Sequence, residues 1–221
     1  MTDDSPFLAS RWGFPPARTW PQDDVVAVGA DLEPDTLLYA YSHGIFPMYL
    51  GSGNRDLGWW SPVERGVIPL DGFRVTRSMR QSARKYRCTV NVAFRIVMEQ
   101  CATAREDGNW INSDFIDAYC RLHELGWAHS IETWDDGVLV GGLYGVRINR
   151  FFAGESMFHT ARDASKVALM HLVDLMRLDD MTLLDTQWCT DHLASLGCTE
   201  MGRAQYLSLL QSATGVAILD T

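Results

Sequence analysis

Between Ala128 and Phe158 the chain carries three runs of β-branched, aromatic and small apolar residues, Ala128–Trp134, Val138–Arg147 and Phe151–Phe158. Only Asp135-Asp136-Gly137 and a turn at Asn149 separate them. Connections that short join antiparallel neighbours, so the stretch predicts a three-stranded meander. Ala164–Leu178 then spaces its apolar residues along one helical face, and Thr182–Gln187 reads as a short apolar strand. Ahead of the meander, helices are expected over 76–86, over 91–106 and from Ser113, taken as the N-cap, to a stop at Gly126. Two short helices, near 191–196 and 203–212, follow the last strand. The order helices, meander, helix, strand, helix is that of an α+β fold.

Residues 1–62 are rich in Pro, Gly and Trp and show one clear helix, Asp35 to His43, stopped by Gly44. The expected organisation is a small irregular N-terminal domain over 1–62 and a larger domain over 63–221. Gly141-Gly142, inside the middle strand of the meander, is unfavourable for a plain strand. It predicts a bulge, or a place where another backbone or a ligand comes close.

Composition removes several classes of function. No apolar run approaches the ~20 residues of a membrane span, and the acidic start Met1-Thr2-Asp3-Asp4 is unlike a secretion signal, so a cytoplasmic protein is expected. The five cysteines form no CxxC pair or zinc spacing, and neither a P-loop nor a dinucleotide glycine fingerprint is present; no metal and no cofactor are expected. A net charge of −9 opposes non-specific coating of nucleic acid, so any RNA site must be a local basic patch. Arg74, Arg77, Arg80, Arg84, Lys85 and Arg87 form such a patch without an intervening acid. On a helix, 77, 80, 84 and 87 recur at +3, +4 and +3 and share one stripe; the pattern fits a solvated face and a phosphate-binding stripe equally.

Three constellations carry possible chemistry. Asp185 and Gln187 stand two apart at the end of an apolar strand, so alternation puts them on one face. Such a carboxylate either caps the following helix, the simpler account, or holds a reacting amine. Glu155 is a charge in a strand otherwise apolar and small; alternation sets it beside Ala153 and Met157, where a salt bridge to an arginine is the simpler account and recognition of a cation the other. Trp59-Trp60-Ser61-Pro62 and Asn109-Trp110-Ile111 place large rings in loop-like contexts, as platforms for a base or as plugs between domains.

These segments, with others in the same order, resemble the leucyl/phenylalanyl-tRNA–protein transferase family. The likeness runs through Phe14-Pro15-Pro16, Gly44-Ile45-Phe46-Pro47, Trp59-Trp60-Ser61-Pro62, Arg77-Ser78-Met79, Trp110-Ile111, Ala128-His129-Ser130-Ile131-Glu132, Val140-Gly141-Gly142-Leu143-Tyr144-Gly145-Val146, Gly154-Glu155-Ser156-Met157-Phe158, Ala164-Ser165-Lys166 and Asp185 with Gln187. The resemblance implies a GCN5-related acetyltransferase-like domain with a mixed, largely antiparallel sheet, opened at a strand bulge that Gly141-Gly142 would supply. It implies transfer of Leu or Phe, with Met as a further candidate, from leucyl-tRNA or phenylalanyl-tRNA to proteins beginning with Arg or Lys, marking them for N-degron-dependent degradation.

By the same resemblance, Asp185 and Gln187 orient or deprotonate the acceptor amine and Glu155 holds the acceptor's cation. Met48, Trp60, Trp110, Leu143, Phe152 and Met157 receive the aminoacyl-adenosine, and Arg77, Arg80, Arg84, Lys85 and Arg87 meet the tRNA. Three positions depart from the family pattern: Met48 replaces a usual Trp, Thr190 a usual Asn, and Gly29-Ala30-Asp31 a usual Gly-Gly-Asp. The rival readings are an N-acetyltransferase using acetyl-CoA, which lacks its pyrophosphate loop here, and a non-catalytic tRNA- or N-degron-binding module.

Overall fold

The structure, a computed structural model, describes residues 10–51, 54–104 and 111–218, with the backbone alone at 54–55. In chain order the elements are β1 (Val25–Val28), α1 (Pro34–Ser42), β2 (Phe46–Gly51), β3 (Asn54–Trp60), β4 (Glu64–Ile68), α2 (Arg77–Ala83), β5 (Arg87–Val90), α3 (Phe94–Thr103), α4 (Ser113–Glu124), β6 (Ala128–Asp135), β7 (Val138–Ile148), β8 (Phe151–His159), α5 (Ala164–Leu178), β9 (Leu183–Gln187), α6 (Asp191–Ser195), β10 (Thr199–Gly202) and α7 (Arg203–Thr214).

The meander forms as its turns require, with β6, β7 and β8 paired antiparallel. It is the centre of a seven-stranded sheet ordered β10-β4-β9-β8-β7-β6-β5. One pair in that sheet, β8 with β9, is parallel, and its register covers only Phe151–Ala153 against Leu183–Asp185. Beyond Ala153 and Asp185 the two strands separate. This is the mixed, largely antiparallel α+β domain expected of the GCN5-related acetyltransferase-like class. Residues 25–60 hold a three-stranded sheet, β1-β3-β2, that the sequence does not announce. Its strand β2 starts Phe46-Pro47, and it tolerates the proline because it lies at the sheet edge.

Each face of the large sheet is covered. Tyr144, Val146, Phe151, Ala153 and Leu183 face Phe94, Val97, Tyr119, Tyr41 and Tyr206, from α3, α4, α1 and α7. Leu143, Phe152 and Leu184 face Met79 of α2 and Leu169, Leu172 and Val173 of α5. Because α1 and β3 contribute Leu37, Leu38, Tyr41 and Trp59 to the first of these cores, the apolar interior continues across residue 62.

Local details correct several sequence expectations. The α4 N-cap is Asn112, whose side chain accepts from the Phe115 amide, not Ser113. Trp59 and Trp60 lie on β3, not in a loop; Trp59 is buried and donates from Nε1 to the Gly29 carbonyl at 2.8 Å. The basic stripe does not ride one helix, since α2 ends at Ala83, Arg84 is its C-cap and Arg87 belongs to β5. Arg77, Arg80, Arg84 and Arg87 are nonetheless all exposed, and Lys85 is ion-paired with Asp135.

Gly141-Gly142 serves close approach. A Cβ on Gly141 would lie 2.6 Å from Ala164 Cβ and 2.8 Å from its carbonyl carbon, so the glycine lets the start of α5 rest on β7. The register breaks lie beside the pair: the β6–β7 ladder skips Val140, and the β7–β8 ladder skips Glu155.

Candidate active site

Where β8 and β9 part, a cavity of about 380 Å³ opens, within the ~300–1,000 Å³ usual for small-molecule sites. Leu143 and Met157 line it together with Leu169 and Leu172 of α5 and Leu193 of α6. The polar floor comes from Glu155, Thr186 and Gln187, and the rim from Phe46, Met48, Trp188, Thr190 and His192. Apolar walls with a few convergent polar groups are the composition of a site that orients a mostly apolar ligand by one end.

Glu155 reaches the floor because it is the extra residue of the β8 bulge. Gly145 pairs with Gly154 and Tyr144 with Ser156, leaving Glu155 opposite no residue of its own. Simple alternation with Ala153 and Met157 therefore fails there, as a bulge re-aims the side chain it inserts. No ion pair reaches Glu155 among the described residues; its Oε1 accepts from Gln187 Nε2 at 3.1 Å, and the Tyr41 hydroxyl lies beside its carboxyl. Burial pushes this carboxyl up from 4.5 to about 8; the Tyr41 hydroxyl opposes the rise, the Asp185 charge adds to it and the Arg65 charge opposes it.

Gln187 shows a different device. Its φ is +59°, in the left-handed region, and the Trp188 amide donates to the Thr186 carbonyl across it at 2.7 Å. Such a positive-φ γ-turn is rare and strained for a residue with a side chain. The turn swings Gln187 out of the alternation of β9 and onto the cleft floor. Gly66 of β4 leaves room for it: a Cβ there would stand 2.6 Å from both the Trp188 carbonyl carbon and the Cys189 nitrogen.

Asp185 does not line the cleft and does not cap α6. Thr190 is that cap, accepting from the Leu193 amide, a task the usual Asn would also perform. Asp185 is fully buried on the other face of β9, where Arg65 holds it bidentately, Nε to Oδ1 at 2.8 Å and Nη2 to Oδ2 at 2.6 Å. The Tyr206 hydroxyl donates to Oδ2 at 2.9 Å and the Gln187 amide to Oδ1 at 2.9 Å. With four donors on two oxygens, this carboxylate has no lone-pair direction left toward the cleft. The arginine expected beside Glu155 thus sits beside Asp185.

Of the other candidates, Met48, Leu143 and Met157 line the cavity. Trp60 stands one layer back, donating from Nε1 to the Met48 carbonyl at 2.9 Å and meeting Trp188 edge-on at 6.0 Å between centroids. Phe152 is buried in the core that also holds Ile68 and Leu169 and does not line the cavity. Trp110 lies outside the described residues. Trp188, Arg65, Tyr206 and Tyr41 were not among the site residues expected from the sequence; Trp188, next to Gln187, and Tyr41, in a motif of the family resemblance, were the ones with a local signal. Trp188 is braced by Asp24, whose Oδ2 accepts from its Nε1 at 3.0 Å.

Comparison with known proteins gives this geometry a family. Residues 67–211 match the model of leucyl/phenylalanyl-tRNA protein transferase, and residues 30–63 match that of its N-terminal domain. A leucyl/phenylalanyl-tRNA–protein transferase of Pseudoalteromonas atlantica is 50% identical over 207 residues, covering 90% of this chain and 87% of the relative. One from Dechloromonas aromatica is 45% identical over 216 residues, covering 95% and 92%. Among solved structures, FemX superposes with a TM-score of 0.51 at 13% identity, covering 77% of this chain and 67% of FemX, a likeness of fold. No helix among the described residues is long and apolar enough to cross a membrane. The chain belongs to the leucyl/phenylalanyl-tRNA–protein transferase family and is an aminoacyltransferase.

Proposed function

We propose that the chain moves Leu or Phe, with Met as a further candidate, from the 3′ adenosine of its tRNA to the α-amine of proteins that begin with Arg or Lys, in the cytoplasm, marking them for N-degron-dependent degradation. The observation that carries this reading is the hydrogen-bonded pair Glu155–Gln187 on the floor of an otherwise apolar cleft. The donor's side chain takes the apolar depth beside Leu143, Met157, Leu169 and Leu172. Its adenosine takes the rim of Met48 and Trp188 backed by Trp60, with Trp110 as a further aromatic candidate. The stripe Arg77, Arg80, Arg84, Lys85 and Arg87 meets the tRNA backbone, and Phe152 supports the floor from below.

The reaction is aminolysis of an ester. The amine nitrogen bonds to the carbonyl carbon, the carbon–oxygen bond to the ribose breaks, and the amine proton ends on the ribose oxygen. An α-amine with a pKa near ~8 is already partly neutral at pH 7, so much of the acceleration comes from holding amine and ester together. Gln187 spends its NH₂ on Glu155 and keeps its carbonyl oxygen to accept from the incoming amine. Asp185 acts through Gln187 by holding its backbone amide, and Glu155 receives the Arg or Lys side chain.

The test is transfer by the purified protein from a panel of charged tRNAs to peptides beginning with Arg or Lys, without added nucleotide. Amide product from leucyl- or phenylalanyl-tRNA is expected, with the KM for charged tRNA raised and its salt dependence flattened in Arg80→Ala with Arg84→Ala. Turnover of acetyl-CoA with no transfer from tRNA would sink the reading.

A further inference from the structure

Behind Glu155 stand two tyrosines that do not line the cleft. Tyr41 of α1 and Tyr119 of α4 are 1% and 0% exposed. Their hydroxyls share a hydrogen bond, and the Tyr41 hydroxyl stands beside the Glu155 carboxyl. The rings are fixed as well: Tyr119 stacks on Phe115 at 6.2 Å and meets Tyr144 edge-on at 5.8 Å between centroids. Phenylalanine at both positions would pack the same volume, and removing both partners of a buried hydrogen bond is close to neutral for stability. Two hydroxyls sunk in an apolar core are therefore not explained by packing. The bulge leaves Glu155 unpaired in the ladder and re-aims its side chain, with Gln187 Nε2 donating to it on the cleft side.

We propose that Tyr41 and Tyr119 are positioning residues for the transfer: their hydroxyl pair holds the Glu155 carboxyl on the cleft floor and sets how strongly the site takes a cationic N-terminal residue. The inference rests on the reading of Glu155 as the acceptor's cation site. It makes the N-terminal region part of the specificity machinery, since α1 supplies the hydroxyl that touches the carboxyl. The charged and titratable groups around Glu155 are Tyr41 from α1, Arg65 from β4, Tyr119 from α4 and Asp185 from β9, with Tyr206 of α7 behind Asp185 and His192 of α6 on the rim of the same cleft. An empty site keeps a largely neutral carboxyl at neutral pH. Arrival of a guanidinium or ammonium draws out its proton to solvent, and Tyr41 then donates to the carboxylate that remains.

The experiment measures acceptor KM from pH 6 to 9 with phenylalanyl-tRNA and two peptides that differ only in beginning with Arg or Ala. Their ratio cancels deprotonation of the α-amine, which both share. Preference for Arg should rise with pH through the Glu155 transition in the wild type and vanish in Glu155→Gln. Tyr41→Phe should lose about tenfold of that preference and move its rise to higher pH, with kcat and the KM for charged tRNA within about twofold of wild type. Tyr119→Phe should shift it less in the same direction and serves as the readout where Tyr41→Phe does not fold. Tyrosine variants that overlay the wild-type profile, beside a Glu155→Gln that has lost its preference, overturn this inference alone. A Glu155→Gln that keeps its preference overturns the acceptor reading and this inference with it.

Discussion

On the β9 side of the split, a carboxylate withdrawn from water meets a guanidinium in a planar two-bond clasp and is finished as a charge. On the β8 side, less than a strand away, the second carboxylate has a tyrosine hydroxyl and an amide but no cation of its own. Burial costs both groups their hydration, yet only Asp185 is repaid by an ion pair in the resting protein. The difference separates a carboxylate satisfied within the fold from one that the fold leaves without a cation. Asp185 is wired to Arg65, Tyr206 and the Gln187 backbone, and so fixes the strained turn that presents Gln187. Glu155 is left with unspent charge capacity facing a cavity.

The harshest way to break the comparison is to remove the clasp. Arg65→Met leaves Asp185 a buried, uncompensated charge and should cost about 3–5 kcal/mol of unfolding free energy, visible as a large drop in denaturation midpoint. Part of the loss should come from the ring faces of Tyr206 and Phe46, which lie 4.3 and 4.9 Å from the guanidinium carbon. Adding Asp185→Leu to Arg65→Met should recover much of the stability and abolish the activity, because it removes the carboxylate that holds the Gln187 backbone amide. A single Arg65→Met that unfolds within 1 kcal/mol of wild type would show that the two sides do not differ as described.

The β8 side is probed by pH. The Glu155 carboxyl stands at about 8 in the folded chain against 4.5 as its ordinary value. Between those values the folded state binds more protons than the unfolded one, so stability falls as pH rises and the full penalty is present above about 8. Glu155→Gln carries no such slope. The variant should therefore gain on wild type steadily between pH 4.5 and 8 and hold a constant advantage beyond, read from midpoints at matched ionic strength. Parallel curves for the two proteins would mean that Glu155 is charged and satisfied without a ligand.

How much of this was legible follows from where each signal resides. The meander, α5 and α7 were readable to within a residue or two because turns, caps and a 3.6-residue period are local. Glu155 was visible as a charge among apolar neighbours, but its bulge was not, since a register break belongs to the pair β7–β8 and not to either strand. Asp185 was visible and its clasp was not: Arg65 lies 120 residues away in sequence, in a five-residue strand with no periodicity to read. Nothing local marks Gln187 as left-handed, because neither glycine nor asparagine stands there. The basic patch was legible as charge, while its supposed single helix ends at Ala83.

The smallest expected effect separates strain that serves the cleft from strain that serves nothing. Ala30 has a φ of +64°, close to that of Gln187, in the segment Gly29-Ala30-Asp31. A left-handed conformation costs an alanine about 1–2 kcal/mol, and glycine returns about 0.5–1 kcal/mol of that through the greater freedom of its unfolded chain. Ala30→Gly should therefore raise stability by about 1 kcal/mol or less and leave transfer kinetics untouched, since Ala30 does not line the cavity. At Gln187 the same backbone relief would come with loss of the amide that Glu155 holds. If Ala30→Gly lowers stability, left-handed strain is not being stored at Ala30, and the reading of Gln187 as a strained, positioned residue would have to stand on its hydrogen bonds alone.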